Sequence, residues 1–145
     1  VTLDQLQKTF TINFFSQIAF TQYIARIMLR QKNGSIINIS SISALDGNPG
    51  QLAYASAKAA WLAATKTLSA ELGPQGVRVN AVAPGVISTA MTAALSEDVM
   101  ARQMARCELG RPGLPEEVAN TLLWLASDAS SYTTGQVIRV DGGMG

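Results

Sequence analysis

The 145-residue sequence contains no histidine, a single cysteine and few charged residues. Without histidine, the chain lacks the commonest general base and the commonest metal ligand of proteins, and we expect no metal site. Cys107 has no partner for an internal disulfide, which favours a reducing, cytoplasmic location. The formal net charge of +1 gives no electrostatic basis for binding nucleic acid or an anionic membrane surface.

Long apolar runs are missing as well. Gln, Arg, Lys or Asn interrupts every apolar stretch well short of a membrane span, and no signal peptide is recognisable at the start. The length predicts one domain over residues 1–145. Hydrophobic residues make up 48% and charged residues only 14%, which predicts apolar surface buried against another chain or a further segment. Because the chain starts at Val1 rather than Met, we expect a fragment or a processed chain.

Helical periodicity and β-branched runs alternate along the sequence. Long helices between the strands predict a parallel sheet of about three strands with right-handed crossovers and helices on both faces, an α/β fold. A loosely patterned, helix-prone segment over residues 89–106 is typical of a mobile lid. The predicted helices are 3–30, 51–72 and 115–126, and the predicted strands are 35–39, 77–82 and 136–140.

Tyr54 and Lys58 are the clearest candidates for chemistry. They are four residues apart in a predicted helix, so the phenol and the ammonium share one face. A free tyrosine titrates near about 10, and a nearby ammonium favours the phenolate, which makes the phenol a better acid. The pair can therefore serve as a general acid and base in a chain without histidine. The alternative is a solvated surface pair, which this spacing commonly produces.

Two polar loops follow predicted strands at their carboxyl ends, where parallel α/β sheets bind ligands. Ser41 follows the first strand and could hydrogen-bond a substrate oxygen, or it could simply satisfy the backbone of a turn. The segment 84–89 follows the second strand and is either a turn with a helix cap or a wall for a cofactor ring. The two loops and the Tyr54–Lys58 pair together favour a site over separate structural roles.

These motifs, in this order, resemble those of the short-chain dehydrogenase/reductase family, and most closely its bacterial 3-oxoacyl-carrier-protein reductase-like members. The similarity covers essentially all 145 residues. It rests on Thr11–Asn13, Ile36–Ser41, Tyr54–Ala59, Val77–Gly85, Thr134-Gly135 and Val140–Gly143. The resemblance implies a Rossmann-type sheet and an NAD(P)-dependent oxidoreductase that interconverts a ketone and a secondary alcohol.

The resemblance also implies a role for each matching catalytic position. Tyr54 would exchange the proton with the substrate carbonyl oxygen, and Ser41 would orient and polarise that oxygen. Lys58 would lower the pKa of Tyr54 and hydrogen-bond the nicotinamide ribose, so both residues are also expected at the cofactor. Asn13 would hold a water in the proton relay, although a polar residue in mid-helix can equally well face solvent.

Four further positions are expected, by the same resemblance, to line the nicotinamide: Pro84, Gly85, Ile87 and Thr89. The family's other half carries a glycine-rich turn that binds the cofactor pyrophosphate, followed by the residue that selects NAD or NADP. Nothing in the 145 residues matches that turn, because the first glycine is Gly34. We therefore expect a C-terminal catalytic half, with the N-terminal half of the domain absent and NAD or NADP undecided.

Three hypotheses about function remain open on this evidence. The chain could be the catalytic half of an oxidoreductase, inactive until a missing half is supplied. It could be a non-catalytic oligomeric module that retains the ancestral tetrad, or a swapped dimer that rebuilds a cofactor site. Separately from these hypotheses, the apolar composition and the exposed edge of strand 35–39 predict a homo-oligomer, formed through that edge or through the two long helices.

Overall fold

Three parallel strands form the centre of the fold. The computed structural model describes all residues, 1–145. The strands are β1 (Gly34–Ile39), β2 (Val77–Pro84) and β3 (Val137–Val140), in the order β1-β2-β3. The helices are α1 (Leu3–Phe10), α2 (Ser16–Gln31), α3 (Ile42–Asp46), α4 (Leu52–Leu72), α5 (Ala90–Ala93), α6 (Glu97–Met104) and α7 (Pro115–Ala126), with a π-helical turn at Thr11–Phe15 and 3₁₀ turns at Gly73–Gln75 and Asp128–Ser130.

The predicted parallel α/β sheet is confirmed. Gly34 of β1 pairs with Val77 of β2, and this parallel register continues to the pair of Ile39 and Val82. β2 then pairs in parallel with β3, from Ala81 and Val137 onward. Because both ladders are parallel, the carboxyl ends of all three strands lie at one edge of the sheet, as the sequence predicts for its candidate site.

Helices cover both faces of the sheet. Alternate residues of each strand point to opposite faces, so one strand contacts helices on both sides. On one face, Ile36, Val77 and Val79 are buried against Ala25 of α2 and Leu72 of α4. On the other face, polar side chains of β1 and β2 reach the end of α7 and the segment that follows it. There Ser35 Oγ donates to the Leu125 carbonyl at 2.8 Å, Arg78 Nη2 to the same carbonyl at 2.9 Å, and Asn80 Nδ2 to the Thr133 carbonyl at 2.9 Å.

The helix predicted over residues 3–30 is confirmed as one helical run, in which a π-helical turn at Thr11–Phe15 joins α1 to α2. Polar side chains here bond to carbonyls one turn earlier, which competes with the regular backbone ladder and favours a local irregularity. The donors are Thr9, Thr11, Asn13 and Ser16, each to the carbonyl four residues before it.

α2 ends at Gln31, one residue beyond the predicted end, and its C-cap Lys32 is left-handed at φ 52°. Gly34 begins β1, and a Cβ at this position would collide with the side chain of Met28. The glycine is therefore required by the close approach of α2 to the strand rather than by the helix cap.

The side of β1 that faces away from β2 is not paired with another strand. β1 pairs with β2 only, and its other side borders a cavity of about 450 Å³ between the strand and α2. Apolar side chains of both elements line this cavity, among them Phe20, Ile24, Ile37 and Ile39. No helix of the chain combines the length and the hydropathy that crossing a bilayer requires.

Candidate active site

A cavity of about 420 Å³ lies at the carboxyl edge of the sheet. Ser41 contributes from the end of β1, Tyr54 from the first turn of α4, and Gly85 from the end of β2. No side chain that lines this cavity carries a formal charge. The lining residues are Ser41, Ile42, Ser43, Asn48, Gln51, Tyr54, Gly85, Val86, Met91, Thr92, Leu95, Val99 and Gln103.

Ser41 stands where β1 gives way to α3. It is the N-cap of α3, with extended backbone, and its Oγ accepts a hydrogen bond from the Ser43 N–H at 3.2 Å. This bond fixes the hydroxyl oxygen and leaves its proton free to be donated toward the cavity. The turn is thus both a helix cap and a source of one hydrogen-bond donor beside Tyr54.

Tyr54 and Lys58 occupy successive turns of α4. The Lys58 ammonium lies 5.9 Å from the centroid of the Tyr54 ring. Tyr54 is 36% exposed at the mouth of the cavity, whereas Lys58 is buried behind it. This arrangement is not that of a solvated surface pair, because the lysine is held inside the protein.

Lys58 is held by the end of β1. Its Nζ donates to the Ile39 carbonyl at 2.9 Å, and its own carbonyl accepts a hydrogen bond from Ser40 Oγ at 2.9 Å. Burial lowers the pKa of Lys58, because desolvation disfavours the charged form. An ammonium has three N–H donors, so two remain for a phenol oxygen, a ribose hydroxyl or water.

Asn13 lies in the π-helical turn and not in the cavity lining. Its Nδ2 donates back to the Thr9 carbonyl at 3.0 Å, and its main-chain carbonyl accepts the indole N–H of Trp61 at 2.9 Å. Trp61 is 2% exposed and lies one turn beyond Lys58 on α4. Sequence reasoning missed this tryptophan, although its position three residues after Lys58 placed it on the same helix face.

The segment after β2 forms a wall beside Tyr54. Pro84 is the last residue of β2, and a Cβ on Gly85 would approach the Cα of Asp141 to 2.8 Å, so only glycine fits there. Ile87 pairs with Gly113 in an isolated parallel bridge. Thr89 is the exposed N-cap of α5 and shares a capping box with Thr92. Of the four residues predicted to line the nicotinamide, only Gly85 borders the cavity itself.

The predicted lid forms two short helices, α5 and α6. Met91, Leu95 and Val99 contribute its apolar contacts to the cavity, and Gln103 contributes an amide. The segment therefore supplies much of the apolar lining of the cavity.

With this geometry established, comparison with known proteins identifies the family. The family model described as enoyl-(acyl carrier protein) reductase matches residues 1–145. The chain belongs to the short-chain dehydrogenase/reductase family. A 3-oxoacyl-[acyl-carrier-protein] reductase from Thermotoga maritima is 50% identical over 133 residues, which are 92% of this chain and 54% of that protein.

Solved structures of the family have the same fold. A Beutenbergia cavernae protein described as an NAD(P)-dependent gluconate 5-dehydrogenase, with NADP bound at low occupancy, superimposes with a TM-score of 0.96 at 37% identity. A short-chain dehydrogenase/reductase from Mycobacterium ulcerans gives 0.96 at 36% identity. Each match covers 99% of this chain but only 59% and 53% of those proteins, and the chain likewise spans about half the length of the curated relatives it matches.

The described residues fit one end of a nicotinamide cofactor. Lys58 has free N–H donors beside Tyr54, and the loop after β2 supplies a glycine wall at the carboxyl edge of the sheet. Residues for the pyrophosphate are not among the 145, because no glycine-rich turn joins a strand to a helix.

Proposed function

We propose that this chain carries the proton-transfer half of an NAD(P)-dependent oxidoreductase that interconverts a carbonyl and a secondary alcohol. The observation that carries the proposal is the convergence of Ser41 and Tyr54 on one cavity, with the buried Lys58 one helical turn behind the phenol. The NADP bound in one solved structure of the family supports the choice of cofactor. A cytoplasmic location is part of the same proposal.

Ser41, Tyr54 and Lys58 have separate roles at the substrate carbonyl group. The cofactor supplies the hydride that reaches the carbonyl carbon. Ser41 donates a hydrogen bond to the carbonyl oxygen, which orients the substrate and stabilises the negative charge that develops there. Tyr54 transfers its phenolic proton to the same oxygen. Lys58 stabilises the phenolate that remains, and in the oxidation direction every proton moves the opposite way.

We infer a substrate that is uncharged near its carbonyl group. The cavity is lined by the apolar side chains of Met91, Leu95 and Val99 and by amides, and no Lys or Arg is present to pair with a carboxylate. A 3-oxoacyl thioester meets this description, and reductases of such thioesters are prominent among the relatives. A free sugar acid would place its carboxylate among unpaired apolar groups, which costs desolvation energy.

The 145 residues alone are not expected to turn over, because they include no site for the pyrophosphate. The test therefore combines this chain with the part of the Thermotoga maritima relative that it does not span, and follows NADPH oxidation with a 3-oxoacyl thioester. We expect turnover that Tyr54→Phe abolishes. The matched control is Tyr132→Phe, since Tyr132 is fully exposed and is not among the residues that line the cavity. Equal activity of the two variants would refute the assignment.

A non-catalytic oligomeric module is the second candidate function. Large apolar side chains on and just before α2 are exposed, including Phe15 (52%), Phe20 (66%) and Tyr23 (63%). The open edge of β1 adds unpaired backbone groups. These features support homo-oligomerisation, whether it accompanies catalysis or replaces it, and a swapped dimer could in that way complete a cofactor site.

Size-exclusion chromatography with light scattering tests this second candidate. We expect a dimer or a larger assembly, because apolar patches of this kind rarely stay in contact with water. A clean monomer across the accessible concentration range would eliminate the oligomeric module and the swapped dimer. It would leave the proton-transfer half as the only candidate.

A further inference from the structure

Arg139, on β3, connects α3 to the residues that follow its own strand. Its Nη1 and Nη2 form a bidentate pair with the Asp46 carboxylate at 2.9 and 2.7 Å, and its Nε contacts Asp141 Oδ2 at 2.7 Å. Its Nη2 also donates to the Met144 carbonyl. The guanidinium is therefore held on two sides by carboxylates, and its planar fork matches Asp46.

Asp46 is the last residue of α3, the five-residue helix that begins directly after Ser41. Such a short helix is marginal by itself, because few internal hydrogen bonds offset the cost of ordering it. The other tie that α3 makes through a side chain is Ser43 Oγ to Gln51 Oε1, at 2.9 Å. The ion pair with Arg139 is thus the polar contact that fixes the far end of the helix, in addition to the packing of α3 against α4.

We propose that Arg139 is a positioning residue that, through Asp46, holds the α3 turn and thereby the hydroxyl of Ser41 at the substrate carbonyl. This inference rests on the proposed function, because it requires Ser41 to act on the substrate. It also assigns a catalytic consequence to β3, which contributes no residue to the cavity lining.

The ion pair of Arg139 and Asp46 is strengthened by the neighbouring charged group, Asp141. Isolated exposed ion pairs contribute little to stability, but bidentate geometry within a group of charges contributes more. Asp141, whose side chain is 7% exposed, fixes the guanidinium from the other side, and its Oδ1 accepts the Gly143 N–H at 3.0 Å. The Arg139 hydrogen bonds hold the pKa of Asp46 below its ordinary value, so the carboxylate stays charged at neutral pH.

Asp46→Asn is the cleanest perturbation, because Arg139 keeps its contact with Asp141. The readout is amide hydrogen exchange by NMR at Ser43, Ala44 and Gly47. The Ser43 N–H donates to Ser41 Oγ and reports on the hydroxyl directly, while the other two close the α3 turn at 3.0 and 3.1 Å. We expect exchange at all three amides to accelerate roughly fivefold.

The matched control is Glu117→Gln. Glu117 forms an equally short bidentate pair with Arg111, at 2.7 and 2.9 Å, but this pair lies at the start of α7 and has no tie to α3. We expect unchanged exchange in α3 for this variant. Arg139→Gln should accelerate the same amides, Arg139→Lys should do so less, and combining Asp46→Asn with Arg139→Gln should add nothing further in α3.

The second readout is turnover by this chain when it is combined with the complementary part of the Thermotoga maritima relative. Asp46→Asn should lower kcat roughly fivefold while KM changes less than about twofold, because Ser41 acts mainly in the transition state. Unchanged exchange in α3, or accelerated exchange with a normal kcat, would overturn the inference. If the combined protein without substitutions shows no turnover, the proposed function fails, and the exchange rate at Ser43 still decides whether Arg139 holds the turn.

Discussion

Trp61→Phe is the substitution whose effect can be worked out most fully from the structure. The indole is 2% exposed and donates to the Asn13 carbonyl at 2.9 Å. Its ring meets Phe14 edge to face, with centroids 5.1 Å apart at an interplanar angle of 71°. Phenylalanine preserves the aromatic contact but has no N–H, so the carbonyl in the π-helical turn loses its side-chain donor.

The expected cost has two parts. The Asn13 carbonyl is only partly buried, so the loss of the indole N–H costs about 1 kcal/mol. The smaller ring removes further packing, at about 1 kcal/mol for a cavity that partly collapses. We therefore expect a loss of about 2 kcal/mol in the free energy of unfolding, a substantial share of the roughly 5–15 kcal/mol typical of a domain.

Urea denaturation followed by far-ultraviolet circular dichroism measures this loss as a lower midpoint at unchanged slope. The matched control is Trp124→Phe, because Trp124 is 39% exposed and its indole makes no hydrogen bond within the chain. We expect the control to change stability by less than about 1 kcal/mol. A Trp61→Phe variant as stable as the unaltered chain would refute the role of the indole in holding the turn that carries Asn13.

Three further predictions concern buried and paired polar groups. Burial lowers the pKa of Lys58 from 10.5, so the unfolded chain binds more protons between the folded value and 10.5, and stability should rise with pH through that window. Lys58→Met should remove this slope and raise the melting temperature at pH 7, as thermal melts at several pH values can show; an unchanged slope would contradict the prediction. The Arg111 pair lowers the pKa of Glu117 from 4.5 to about 2, so its stabilisation is complete above 4.5 and is lost as the pH falls toward about 2. Glu117→Gln should flatten acid melts in that range, and an unaltered acid profile would show that the pair adds nothing. Thr65→Val should cost about 1–3 kcal/mol in urea, because the buried Asn38 amide then loses its 2.9 Å acceptor, and a neutral result would mean that the amide finds another partner.

The sheet and the central part of the site could be predicted from the sequence because the signals are local. The β-branched runs of β1 and β2 end in turn residues, and parallel pairing then brings their carboxyl ends together. Ser41 and Tyr54 meet at one cavity for that reason, each placed by the element beside it. The family resemblance added roles to these residues, whereas the spacing alone only made them neighbours.

The π-helical turn at Thr11–Phe15 could not be predicted from periodicity. It is accompanied by side chains that bond back to the backbone and by the Trp61 indole, which is 48 residues away from Asn13 in sequence. The pair of Arg139 and Asp46 spans 93 residues and joins two exposed positions that show no pattern. Such contacts depend on how the elements pack, so a reading of one segment at a time does not reveal them.

The central claim is that these residues supply the acid–base groups and the nicotinamide end of a site, while the pyrophosphate is held by residues outside the 145. Calorimetric titration with NADPH tests it most directly, on this chain alone and on the chain combined with the complementary part of the Thermotoga maritima relative. The account predicts no saturable micromolar binding by the chain alone and saturable binding by the combination, weakened by Lys58→Met. Saturable micromolar binding by the chain alone would contradict this division, as would a combination whose affinity is unaffected by Lys58→Met.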